Sequence, residues 1–117
     1  MSETNIDYDK KIIDFMNYLE VKFTEESNRI DRYSVRVIKG RRFDRIVTDS
    51  KYDYNHIHCF VERNTGSIYK PASRKAPHTR GFAVRGSIYD KESFKNADRF
   101  GSWLYHRVVR WLIFLKI

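Results

Sequence analysis

Three histidines and a glutamate are the first residues to weigh for chemistry. His56 and His58 stand two apart in the run His56-Ile57-His58-Cys59-Phe60-Val61-Glu62. A strand there would put both imidazoles, and Glu62 with them, on one face. Paired imidazoles are part of a metal site, and His78 from a later loop could supply a third ligand. Two fixed ligands are too few, and no cluster of cysteines or carboxylates at metal spacing joins them. The reading is therefore exposed strand histidines beside Phe60, with no metal and no other cofactor. The His–Glu pair could do acid–base work. No nucleophile motif, phosphate-binding glycine loop or pair of catalytic carboxylates accompanies it, so no enzyme is expected.

The second chemistry is electrostatic. Tyr69, Lys70, Arg74, Lys75, Arg80 and Arg85 gather around one strand end and its loop, and Arg36, Arg42 and Arg45 fall on strands that could neighbour them in a single sheet. Cations neutralise phosphates while aromatic rings stack bases, the combination used to bind single strands. These residues form the expected nucleic-acid-binding set, with DNA and RNA equally open. In the competing reading Tyr69 packs inward and the cations only keep a small protein soluble. Net charge is +8 and unevenly spread. Residues 1–27 hold 3 Lys+Arg against 7 Asp+Glu, whereas residues 28–117 hold 20 against 8. A basic body with an acidic leading segment attracts phosphates or an anionic surface through its long-range field.

The elements that must position these groups are legible from periodicity. Ile12, Met16, Leu19 and Phe23, with Tyr8 one turn earlier, form the stripe of an amphipathic helix. It is expected over residues 5–26, with Thr4 as its N-cap and Asp9, Lys10, Asp14, Asn17 and Glu20 on the solvated side. From Arg32 the period becomes two. A three-residue turn at Lys39-Gly40-Arg41 would set Val37 opposite Phe43, Arg36 opposite Asp44 and Tyr33 opposite Val47. A second hairpin runs from Tyr54–Glu62 through Arg63-Asn64-Thr65-Gly66 to Ser67–Lys70, closed by Pro71. Residues 71–89 read as a basic loop. Residues 91–117 read as a C-terminal helical region capped by Asp90, interrupted at Gly101, with Trp103, Leu104, Val108, Trp111 and Leu115 on one broad apolar side. Trp103, Trp111 and Leu115 are the candidate protein interface of that helix.

Size and composition fit one domain spanning residues 1–117, since 14.1 kDa at 41% hydrophobic residues is enough for one modest core. The fold class is α+β: a curved four-stranded antiparallel sheet of two hairpins, packed by an N-terminal and a C-terminal helix. The lone Cys59, flanked by apolar residues, reads as a small core residue and fits a reducing compartment. The acidic, polar N-terminus is no secretory signal, and the apolar run Trp111–Leu115 is too short to span a membrane.

The strings GRRFDRIV, HIHCFVERNTGSIYKPASRKAP and a following RG, over Gly40–Ile88, resemble a group of small, mostly uncharacterised proteins encoded by bacteriophages. In that group a GRK(Y/F)xxIV strand is followed by HxFV, TGxIYKPAS and KAP. The resemblance implies viral origin, and with it the host cytoplasm or the virion; it brings no reaction or cofactor. The function expected is a small basic viral protein that binds nucleic acid non-specifically, single strands favoured. The alternative is a virion-associated or host-interaction protein working through protein contacts of its C-terminal helix, as a homo-oligomer or with another viral or host protein.

Overall fold

The computed structural model describes residues 2–105, with side chains from Asp7 onward. Helix α1 (Ser2–Glu26) buries Tyr8, Ile12, Phe15, Leu19 and Phe23, a four-three-four-four spacing that keeps one stripe against the sheet. It begins at Ser2, so Thr4 lies within its first turn and is not its cap. The chain then reverses through Asn28 and Arg29, both at positive φ, pinned by the Ser27 hydroxyl, whose single proton lies between the Thr24 and Asp31 carbonyls, each 2.7 Å away, and whose oxygen accepts from the Asp31 N–H.

The sheet has five antiparallel strands, not four: β1 (Ser34–Ile38), β2 (Phe43–Asp49), β3 (His56–Glu62), β4 (Ser67–Tyr69) and β5 (Val84–Ser87), in the order β1-β2-β3-β4-β5. The added strand lies in the expected loop and pairs with β4 through Ser67↔Ser87, Ile68↔Gly86 and Tyr69↔Val84. Its sequence, Val-Arg-Gly-Ser, has little strand character. Gly86 is needed there because a Cβ would stand 3.0 Å from the Ser93 hydroxyl oxygen and 3.2 Å from the Ser93 carbonyl oxygen. The first hairpin also departs from the expected register. Val37 pairs with Ile46 and Arg36 with Val47, because Asp44, fully buried, accepts from the Gly40 N–H and lengthens the loop. Residues 91–105 hold no α-helix, only short 3₁₀ turns at Lys91–Phe94, capped by Asp90, and at Ser102–Tyr105. The rest of the expected C-terminal helix, with Val108, Trp111 and Leu115, lies outside the described residues.

Each face of the sheet carries its own apolar cluster. Toward α1 lie Val35, Ile46, Cys59, Val61 and Ile68, joined by Phe94 and Trp103. On the outer face lie Val47, Ile57, Phe60 and Tyr69, with Ala83 from the β4–β5 segment. A bulge in β3 explains a further departure. Ile46 pairs with Cys59 and Val47 with Ile57, so His58 is the extra residue. It turns toward α1 while Phe60 and Glu62 keep to the outer face. No helix among the described residues is long and apolar enough to cross a membrane.

Candidate nucleic-acid interface

The β4–β5 segment is an ordered, basic hairpin on the sheet margin. Pro71 bridges Pro77, the His78 N–H donates to the Lys70 carbonyl, and the Ala72 and Ser73 N–H groups both donate to the Ala76 carbonyl. Arg74 and Lys75 therefore sit at its tip, both exposed. Arg74 Nη1 reaches across to the Asn55 carbonyl at 3.0 Å, tying the tip to the start of β3. Beyond it Arg80 is exposed and Gly81, at φ 62°, turns the chain so that Phe82 projects with 84% exposure while Ala83 anchors inward. Residues 63–89 contain six cations and no carboxylate. Most exposed carboxylates, Asp7, Asp9, Asp14, Glu25 and Glu26, are on α1, which covers the opposite face, and the others are Asp53 in the β2–β3 loop and Asp90 and Glu92 after β5.

The cations expected at this surface divide by environment. Arg45 stands half-buried on the outer face opposite Phe60, without an ion-pair or hydrogen-bond partner among the described residues. Arg36 on the same face is committed: its Nε lies 2.7 Å from Asp49 Oδ2 and its Nη2 2.7 Å from Asn55 Oδ1. That hydrogen bond holds the Asp49 carboxyl below the usual range. Arg42 pairs with Glu62 at 3.1 Å and lies over the Phe43 ring. Burial alone would push the Glu62 carboxyl up, but hydrogen bonds from Arg42, Thr65 and Tyr69 outweigh it and hold it below the usual range.

Three members of the expected set are placed elsewhere. Tyr69 is buried, edge-on to Phe43 and donating to Glu62 Oε1 at 3.2 Å, so its ring has no open face for a base. Arg85 is buried, with Nη1 donating to the Phe82 carbonyl. Lys70 follows Tyr69 and so points the other way, its Nζ 4.4 Å from the Tyr105 ring centroid. The interface candidate Trp103 is core: its indole Nε1–H donates to His58 Nε2 at 3.0 Å. His58 is itself buried, not exposed as the alternation implied, and burial pushes its pKa down to about 3, so the ring is neutral. Burial likewise pushes the Cys59 thiol up, which makes it inert. Among the described residues no group of three or more His, Cys, Asp or Glu is arranged to hold a metal ion.

A family model described as a family of unknown function, DUF7717, matches residues 2–106, most of the chain. The chain belongs to that family. No curated protein and no solved structure matches it. The DUF7717 domain is therefore coextensive with the helix, sheet and 3₁₀ turns described above. The exposed rings in this domain are ones that the alternation did not single out. Tyr54 is 78% exposed in the β2–β3 loop, two residues before the Asn55 carbonyl's neighbour His56, and Phe82 is the more exposed still. Their signal in the sequence was adjacency to Gly81 and Arg80 in one case and to the Asn55 turn in the other, both turn contexts that free an aromatic from the core.

Proposed function

We propose that this DUF7717 member is a small phage protein that binds single-stranded nucleic acid without sequence preference, through the basic layer opposite α1. Arg45, Arg74, Lys75 and Arg80 contact phosphates, and the exposed rings of Phe82 and Tyr54 take the stacking role that buried Tyr69 cannot. The observation that carries this reading is that residues 63–89 hold no carboxylate while their hairpin exposes Arg74, Lys75 and Arg80 together. A surface of one sign attracts a polyanion, whereas an acidic helix on the far side orients it. The absence of a base-reading element among the described residues supports low sequence preference. The motifs shared with phage proteins over Gly40–Ile88 support the viral origin.

A fluorescent single-stranded oligonucleotide titrated at low ionic strength tests the reading. Micromolar binding that weakens steeply with salt is expected. No binding under those conditions removes the proposal.

A further inference from the structure

Residues 95–105 form a strap between α1 and the inner face of the sheet. On the α1 side the Lys95 carbonyl accepts from Tyr18 Oη at 3.1 Å and Lys22 Nζ at 2.6 Å, and the Arg99 N–H donates to Glu26 Oε1 at 2.8 Å. The tie to the sheet is the Trp103 indole N–H on His58 Nε2 at 3.0 Å, with the two rings 23° from parallel. Because Nε2 accepts, the proton of the neutral ring sits on Nδ1, and Nδ1 is buried without a partner among the described residues. A second proton therefore enters at Nε2 and sets a donor against the indole donor, so the bond is lost. It also places a charge in a site walled by Phe23, 5.0 Å from ring to ring, and Trp103.

The ionisable groups that act on His58 are His56, two residues along β3, and Asp98 in the strap. From α1 it meets Phe23, and the β2 residues alongside, Ile46, Val47 and Thr48, are uncharged. Burial alone would push the Asp98 carboxyl up, but hydrogen bonds from Trp103, Ser102 and Phe100 outweigh it and hold it below the usual range, so it stays charged while an imidazole titrates. We propose that this strap is a proton-released latch: protonation of His58 breaks the Trp103 bond and frees residues 98–105 from the sheet while α1 and β1–β5 stay folded. The strap is built to open alone, since 3₁₀ turns and side-chain ties hold it and no strand pairing does. Its Arg99 and Phe100 line a cleft of ≈ 440 Å³ together with Asp31, Tyr52, Asp53 and His56. Acid thus dismantles that cleft and uncovers Trp103 and Leu104, which are otherwise core. The latch does not depend on the basic layer binding a strand.

The closed strap excludes the proton that an opened His58 takes up below its ordinary value of 6.5. Closure is therefore complete above that pH, and the opening constant should rise about twenty-five-fold from pH 7 to pH 5. Hydrogen exchange followed by NMR on the full chain, corrected for the intrinsic rate at each pH, reads this directly. The Trp103 indole N–H, told from that of Trp111 with a Trp111→Phe variant, and the Leu104 amide should show that rise with little dependence on urea. The Ile46 and Val61 amides should stay more protected and exchange through an opening that urea promotes steeply. His58→Gln, whose amide does not titrate, should make strap opening independent of pH, and His56→Gln should leave the response intact. A Trp103 indole whose opening ignores pH in the wild type, or strap and sheet amides that open together with one urea dependence, would each overturn the proposal, and neither result needs a variant to fold. A pH response that survives in His58→Gln would overturn it as well.

Discussion

Salt dependence offers the sharpest test of the basic layer, because the structure separates cations that should count from one that should not. Among the described residues Arg45 on β2 and Arg74, Lys75 and Arg80 in the β4–β5 hairpin have no carboxylate partner, whereas Lys70, in the same stretch of sequence as the last three, lies against the Tyr105 ring. For single strands the slope of log affinity against log salt is about −0.7 per phosphate neutralised, so four contacts give about −2.8. Between 50 and 200 mM salt that is a loss of about fifty-fold. Replacing Lys75 and Arg80 by Ala leaves two contacts, a slope of about −1.4 and a loss of only about sevenfold over the same range. Lys70→Ala should leave the slope at its wild-type value. Fluorescence anisotropy of a labelled oligonucleotide at four or five salt concentrations reads all three slopes. Equal slopes for wild type and the double variant, or a reduced slope for Lys70→Ala, would refute the assignment of this face.

Other outcomes follow from the buried polar groups. His58 has a folded pKa depressed to about 3, so the unfolded chain binds a proton that the folded one does not as pH falls below 6.5. Stability is full above that value and should drop by about 2 kcal/mol between pH 6.5 and 5, a window above the ordinary carboxylate range, and His58→Gln should remove that component in urea melts. Asp44 accepts from Tyr8 at 2.9 Å, from Gly40 at 2.9 Å and from Arg63 on both oxygens, so Asp44→Ala should cost about 3 kcal/mol in the same assay. Cys59 should resist a thiol reagent at neutral pH in the native protein and react at once in denaturant, since its thiol is buried and held protonated.

Helix α1 and the first four strands were legible because each has its own period: a four-three-four spacing over Ile12–Phe23 and alternation over Val35–Val47 and His56–Tyr69. Two kinds of feature were not. Strand β5 exists because β4 offers it an edge, and its Val-Arg-Gly-Ser run has no apolar alternation of its own. The register of β1 against β2 depends on Asp44, a carboxylate whose burial is decided by Tyr8 and Arg63, 36 and 19 residues distant. Neither partner is visible from the hairpin alone. The absence of an α-helix over residues 91–105 has a similar origin: Gly101 at φ 79° and the Asp98 carboxylate, which accepts from the Ser102 and Trp103 N–H groups, favour a turn at the point where a helix would have continued.

The candidate sites were less legible than the fold, and the bulge at His58 shows why. Strict alternation places His56, His58, Phe60 and Glu62 together, as one exposed chemical face. One extra residue in β3 splits that set: Glu62 and Phe60 stay outward with Arg42 and Arg45, while His58 turns inward against Phe23 and accepts from Trp103. The inward turn uses a histidine to fasten the segment that carries Arg99 and Phe100, since Trp103 follows Phe100 by three residues and a Cβ placed on Gly101 would stand 3.9 Å from His58 Cε1. The same displacement leaves His56, one step before Ile57, at the cleft with Phe100, Tyr52 and Asp31. A bulge has no residue signature here, since neither Ile57 nor His58 is a glycine. Charge, by contrast, needs no register to be read. The acid-free stretch 63–89 is a property of composition alone, and it survives every change of pairing that the structure imposed on the strands around it.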